Sequence, residues 1–227
     1  MTGIDLLVPP SQENLFYGVT IGLVTNNKDP DKLGRVKVKF PWLSEQEESN
    51  WARVLSPTAG AGRGFYFLPE VNDEVLVAFE HGQVEFPYVL GALWNGKDKP
   101  PGNNDDGKNN QRLIKSRSGH VIILDDTEGK EQIIIRDKTQ KNEIVIDSKT
   151  NAMTIKVEQD LSIETKGKIS LKSSGGDLAI ECNNLNIQAK QNCEIKANAQ
   201  VSVQANAGMA LKCMAGVKIN DGALEVM

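Results

Sequence analysis

Cysteine, histidine and aromatic residues are scarce in this chain of 227 residues: three, two and 5%, respectively. The cysteines, Cys182, Cys193 and Cys213, are odd in number and sit in strand-like stretches. They read as small apolar residues in a reducing compartment, not as a disulfide frame. His81 and His120 stand near no cysteine and in no metal spacing. That argues against a zinc site and leaves no base beside a serine nucleophile. No apolar run approaches the roughly 20 residues of a membrane-spanning helix, and mean hydropathy is −0.36. A basic excess is missing too. Residues 1–102 hold nine Lys and Arg against thirteen Asp and Glu, and residues 103–227 hold seventeen of each. Neither half has the positive charge that a phosphate backbone demands. No basic stretch precedes Leu6-Leu7-Val8, so no secretory signal is expected.

The motifs that might carry chemistry are equally thin. Gly60-Ala-Gly-Arg-Gly64 lacks the Lys-Ser/Thr and the following helix of a phosphate cradle. Glu45, Glu47 and Glu48 read as a solvated acidic loop, not as paired carboxylates for glycoside cleavage. The adjacent acids in residues 103–107 lack the alternation of a calcium loop. Trp42, Trp51, Phe65, Tyr66, Phe67 and Trp94 are candidate stacking platforms for single-stranded nucleic acid, but they lie in the acidic half and suit core and partner contacts better. No catalytic, cofactor-binding or metal-binding residue is expected, and no cofactor.

What the chain does have is a repeat, over residues 153–219. Apolar pairs split by one residue recur at Met153/Ile155, Leu161/Ile163, Ile169/Leu171, Leu178/Ile180, Leu185/Ile187, Cys193/Ile195, Val201/Val203, Met209/Leu211 and Val217/Ile219. The step is eight residues, save one slip of nine then seven around Gly175-Gly176. Alternation is a strand signal. Four residues after each pair begins, from Leu161 to Met209, comes a small one: Thr165, Ser173, Cys182, Ala189, Ala197, Ala205 or Cys213. Turns are expected at Gly167, Gly175, Asn184, Asn192, Gln200, Gly208 and Gly216, residue types that tolerate tight or positive-φ backbone.

A strand of about six residues with one apolar face cannot stand alone. Eight residues are too few for a solenoid coil of about 20–29, but enough for one wall of a three-sided prism. If one chain supplies all three walls, nine units make a stack about 14 Å tall with open edges close together. If three chains supply one wall each, the stack is about 43 Å tall and closed in cross-section. The three-chain prism is the expectation. The residues expected on its axis are Ile163, Leu171, Ile180, Ile187, Ile195, Val203, Leu211 and Ile219.

The first half reads differently. Residues 1–14 look like a flexible arm, extended at Pro9-Pro10. Strands are expected over residues 16–24, 34–40, 51–55, 65–68, 74–79 and 88–94, with turns at Asn26-Asn27-Lys28-Asp29-Pro30, Gly60-Ala-Gly-Arg-Gly64 and His81-Gly82. Several short strands without helical periodicity suggest a small closed barrel of the OB type. The expected division is an arm (1–14), an OB-fold barrel (15–98), a polar linker (99–112) and a β-helical spike (113–227). Val121/Ile123, Ile133/Ile135 and Ile144/Ile146 are expected to face inward at a wider spike base, with protruding turns at residues 125–130 and 138–142.

Several motifs in order also resemble a known family. Leu33-Gly-Arg-Val-Lys-Val-Lys-Phe-Pro-Trp42, Ala59-Gly-Ala-Gly-Arg-Gly-Phe-Tyr-Phe-Leu-Pro-Glu70, Asp73-Glu-Val-Leu-Val-Ala-Phe-Glu-His-Gly82 and Pro87-Tyr-Val-Leu-Gly91 are similar to the OB-fold region of the VgrG and phage baseplate protein V family. Gly96-Lys97, Lys99-Pro100 and Ser116-Arg-Ser-Gly-His-Val121 continue the likeness into that family's β-helical spike. The resemblance implies an all-β protein, an OB-fold barrel followed by a trimeric, three-sided intertwined β-helix. It implies the central spike of a phage tail, a type VI secretion system or a phage-tail-like particle. The large N-terminal hub region and the lysozyme insert of some relatives have no counterpart here, so a separate baseplate hub protein is expected.

Implied partners are two further copies of the chain, that hub protein, a PAAR-type tip protein and, transiently, the target membrane, with no nucleic acid. The spike is expected to assemble in the cytoplasm and then to be ejected towards the target envelope. Tip docking is expected at Asn220, Asp221, Gly222, Leu224, Val226 and Met227, where no histidine offers a metal knot. Two rival readings stand beside this one: an OB-fold module binding nucleic acid or oligosaccharide, with a solenoid appendage, and a spike that also cleaves cell wall.

Overall fold

The computed structural model describes residues 15–43 and 46–215. The expected arm (1–14), Glu45, Gly216, Ile219 and the six tip residues lie outside them. The described residues are β-structure, bends and loops apart from one 3-10 turn, Glu80–Gly82. No helix among them is long and apolar enough to cross a membrane. The chain divides into two units, Met1–Ile163 and Glu164–Met227.

The first unit begins with a barrel. Its strands are β1 (Val19–Asn26), β2 (Lys37–Lys39), β3 (Arg53–Val54), β6 (Glu74–Phe79) and β7 (Pro87–Ala92), in the order β2-β1-β6-β7-β3. All neighbours are antiparallel except β3 and β7. Val36 and Ala52 then exchange N–H···O bonds of 3.0 and 2.7 Å. That bridge joins β2 to β3 and closes the sheet into the expected OB topology. The closure rests on β-branched residues that pack well on a pleated surface. Val24, Val36, Val38, Val75, Val77 and Val89 are wholly buried with Ala52, beside Phe40 and Phe79. Phe79 meets Phe16 and Phe40 edge-on at 5.6 and 5.4 Å, and Phe16 stacks on Trp42 at 5.1 Å. Each such side chain contributes about 1.5–3 kcal/mol.

One expected strand is absent. Residues 65–68 form no ladder; instead the glycine-rich stretch before them pairs on itself as β4 (Ala59–Gly60) and β5 (Arg63–Gly64). Gly64 permits this, at φ 141°, where a Cβ would sit 2.4 Å from the Thr58 carbonyl oxygen. Phe65, Tyr66 and Phe67 are left outside, all more than half exposed.

Next comes an up-and-down sheet of β8 (Gln111–Lys115), β9 (Val121–Asp125), β10 (Gln132–Arg136), β11 (Glu143–Asp147) and β12 (Ala152–Lys156). The turns expected at 125–130 and 138–142 are its second and third hairpin loops. Each reversal holds one residue of positive φ: Gly119, Gly129, Gln140 and Asn151. The polar segment before the sheet is laid on it. Residues 100–103 line a shallow pocket with Leu113 and Ile123, and the Asp126 amide donates to the Asn110 carbonyl at 2.8 Å. An ion pair between Arg117 and Glu70 ties the first hairpin to the barrel.

Register corrects one expectation. Ile133 lies opposite Leu124 and Ile135 opposite Ile122, so the partners of Ile133/Ile135 on that face are Ile122/Leu124, not Val121/Ile123. Loop length sets register, and a one-residue shift turns every side chain to the other face.

Among the described residues of the second unit there is neither a strand nor a buried side chain. The backbone bends at residues 166–167, 174–176, 183, 190–191, 198–199, 206–207 and 214–215. The step is eight, broken once by nine and seven where Gly175 and Gly176 lie. Gly167 and Gly175 fall in bends, whereas Asn184, Asn192, Gln200 and Gly208 each follow one by a residue. No described residue of this unit has positive φ. A corner that keeps the chain extended does not need the left-handed conformation that a reversal needs.

Candidate assembly surfaces

The described residues hold ten buried apolar side chains; nine are in the barrel and the tenth is Ile134 of β10. Many apolar residues elsewhere are exposed, although Phe16, Val54, Leu68 and Val84 pack partly against the core. The clearest case is the repeat. Ile163, Leu171, Ile180, Ile187, Ile195, Val203 and Leu211 are 64–75% exposed. They recur in phase with the bends, and none is buried by another part of its own chain. The small residues Thr165, Ser173, Cys182, Ala189, Ala197, Ala205 and Cys213 each come immediately before a bend. Exposed apolar surface of this extent marks a contact region.

The five-stranded sheet carries a second uncovered surface, which follows from its register. One face presents Ile114, Ile122, Leu124, Ile133, Ile135, Ile144, Ile146, Met153 and Ile155. Eight of the nine are at least 40% exposed. The opposite face has one apolar row, Leu113, Ile123, Ile134 and Val145, flanked by rows of charged and amide side chains in which Val121 and Ala152 are the apolar members. It is the better covered face, holding buried Ile134.

A third surface lies on the barrel, and inspection of motifs missed it. Outward positions of β1, β6 and β7 include Val19, Ile21, Leu23, Leu76, Ala78, Tyr88 and Leu90. The signal was present in Val75-Leu-Val-Ala-Phe79, an unbroken apolar run; a half-solvated strand alternates, and a strand covered on both faces does not.

At the barrel end beyond β1, Asp29 organises the loop to β2. Its carboxylate accepts from the amides of Asp31, Leu33 and Arg35 at 3.0, 2.9 and 3.3 Å, and from Arg35 Nε and Nη2 at 2.9 and 2.7 Å. The Arg35 guanidinium, then these amides, hold Asp29 well below the usual carboxylate range, against partial desolvation. Folding thus favours the ionised form; its contribution is complete above the ordinary carboxylate pKa and is lost as pH falls towards the lowered one. Arg35 also lies over the Trp51 ring at 5.9 Å. Beside this loop, Leu33, Leu55 and the exposed Phe65, Tyr66 and Phe67 line an open groove of about 790 Å³ with Lys28, Lys32 and Arg63.

The reactive side chains are dispersed. Cys182, Cys193 and Cys213 are free and exposed. His81 occupies a turn at φ 48°, and His120 Nδ1 accepts from the Lys138 amide at 3.2 Å. Among the described residues no three His, Cys, Asp or Glu side chains are grouped to hold a metal ion.

Comparison with known proteins bears on what these surfaces contact. Residues 20–94 match the family described as the type VI secretion system/phage-baseplate injector OB domain. The chain is 31% identical over 113 residues to the actin cross-linking toxin VgrG1 of Vibrio cholerae. It is 32% identical over 113 residues to the type VI secretion system spike protein VgrG3 of the same species. It is 32% identical over 117 residues to the spike protein VgrG1b of Pseudomonas aeruginosa. Each alignment takes in 46% of this chain but only 10%, 11% and 16% of the relative. The chain thus spans a small part of the length of these relatives.

Proposed function

With a barrel that belongs to the type VI secretion system/phage-baseplate injector OB domains, we propose that this chain is the central spike of a contractile injection machine, acting as a homotrimer and without catalysis. The observation that carries the reading is the run of uncovered apolar pairs stepping by eight residues in phase with the bends. Three copies, each giving one wall per layer, cover those pairs on a common axis. The small residue before each bend suits a corner where two walls converge. The apolar face of the five-stranded sheet meets its counterparts in the same way, and the barrel seats on a separate hub protein of the baseplate.

Function follows from how such a column carries load. A ladder closed in cross-section has no free edge to peel and no hinge to fold, so thrust from sheath contraction passes to its tip and through the target membrane. Outward positions of the repeat are mostly Lys, Glu, Gln, Asn and Ser, with Thr154, Ala179 and Ala210 among them, a hydrated surface that slides without adhering. The spike assembles in the cytoplasm and leaves with the machine. Its end, Asn220, Asp221, Gly222, Leu224, Val226 and Met227, docks a PAAR-type tip. A truncation after Ile219 loses tip capture in a pull-down; unchanged capture rules that contact out.

Solution mass tests the central claim. Three copies of 24.8 kDa give about 74 kDa, and this mass is expected for the purified chain; a species of 24.8 kDa overturns the trimeric spike. The monomeric outcome favours the rival suggested by the aromatic groove beside Lys28, Lys32 and Arg63, an OB module for single-stranded nucleic acid or oligosaccharide. The acidic balance of residues 1–102 weighs against it.

A further inference from the structure

We propose that the one nine-residue step, at Gly175-Gly176, sets the register in which copies of this chain recognise one another. The inference rests on the three-copy shaft proposed above and asks how three chains with a monotonous repeat align. Most units offer the same surface, an apolar pair and then a small residue before a bend. Copies displaced by one unit, eight residues, still match almost everywhere and lose one unit of burial at each end. Strands with such even patterning specify register weakly, just as a uniform coiled-coil seam needs one odd position to fix its alignment.

The odd position here is a single layer. The bend at residues 174–176 takes three residues; Leu178 follows Ile169 by nine, and Leu185 follows Leu178 by seven. Had the eight-residue step run on from Ile169, Leu171 and Ser173, the inward positions would be Asp177, Ala179 and Glu181. The extra residue turns Leu178, Ile180 and Cys182 to that side instead. Nothing in its own chain requires glycine at this bend: neither φ is positive, and a Cβ would meet nothing at Gly175 and only Ser173 Oγ, at 3.7 Å, at Gly176.

In aligned copies the three displaced layers coincide. In copies offset by one unit, each displaced layer faces an ordinary one. Pairing there is kept only by a one-residue shift, which exchanges the faces and drives Asp177 and Glu181 inward. Carboxylates without partners are disfavoured on a dry axis. The wrong register is thereby penalised at one layer, whereas the remaining units supply cohesion without alignment.

The test keeps the full chain and its length. Deleting Gly176 and inserting one glycine between Asn183 and Asn184 makes every step eight. Both proteins are refolded, sized, and followed by hydrogen exchange with mass spectrometry on peptides from the two ends of the 161–213 segment. Wild type at the three-copy mass is expected to give one isotope envelope per peptide. The evened chain at the same mass is expected to give two or more, from end units left unpaired in offset assemblies. A single envelope from the evened chain, or split envelopes from wild type, overturns the register proposal and leaves the trimer standing. A wild-type mass of one chain overturns both. Should the evened chain fail to assemble, Asp177→Ser with Glu181→Ser decides, since it keeps the nine-and-seven spacing and removes only the charges. A second envelope is then expected, and one envelope overturns the proposal.

Discussion

The sheet of residues 111–156 and the repeat of residues 164–215 share an alternating apolar pattern, yet one closes its backbone pairing within the chain and the other does not. The spacing between units explains the contrast. From Ile133 to Ile144 is eleven residues, which allows a five-residue strand and a loop able to reverse. The eight-residue step leaves two or three residues between walls, and the chain bends there without turning back. The residues at the joints agree. The sheet reverses at Gly119, Gly129, Gln140 and Asn151, all of positive φ, whereas bends of the repeat hold Lys166, Asn183, Lys190, Asn198 and Asn206 with none. A sheet that reverses can satisfy its own ladder. A chain that only turns corners leaves its ladder unpaired among the described residues of one copy, which is the pairing that the proposed three-copy shaft would supply.

Three substitutions would break or sharpen that contrast. The larger effect is expected from Val203→Asp in the repeat. In a three-copy shaft it sets three carboxylates on one axis, at several kcal/mol for each unpaired ion. The mutant is expected to lose the three-copy mass and any resistance to heat and detergent, while the barrel, whose core is intramolecular, stays folded. A trimer with unchanged resistance would falsify the inward assignment of Val203. The smaller effect compares the joints directly. Gly129→Ala places a side chain at φ 70° in a hairpin and is expected to cost about 1 kcal/mol. Gly167→Ala, at a bend where φ is not positive and the nearest atom, Thr165 Oγ1, lies 3.8 Å from the added Cβ, is expected to be close to neutral. Thermal melts of the two variants check the difference, and equal losses would erase the distinction between reversal and corner.

Much of this was legible in the order of residues because its causes are local. The eight-residue period and its slip at Gly175-Gly176 reappear as backbone bends, since the repeat of apolar and small residues is also the repeat of the chain path. Strand β6 is found over the expected residues 74–79. What failed did so for non-local reasons. Residues 65–68 look like a strand from their aromatic content, but no neighbour is free to pair with them once β4 and β5 close on each other. Val121/Ile123 was a sound alternation placed on the wrong face, because the partner strand decides which of two interleaved apolar rows is which. Within the expected polar linker, residues 100–103 line a shallow pocket with Leu113 and Ile123, a placement that its composition does not show.

By itself, then, the amino-acid order determined where this chain is apolar, with what period, and which joints can reverse. Side-chain transfer from water and backbone φ preferences act over a few residues, so both are written locally. Only the tertiary structure decided that β3 runs parallel beside β7 and that Val36 meets Ala52 to close the barrel. It alone set the register that gives the five-stranded sheet its uncovered apolar face. Hydrogen bonding between strands far apart in the chain depends on which pairings bury the most while leaving no amide unsatisfied. That comparison is made over the whole fold, not within any one stretch of it.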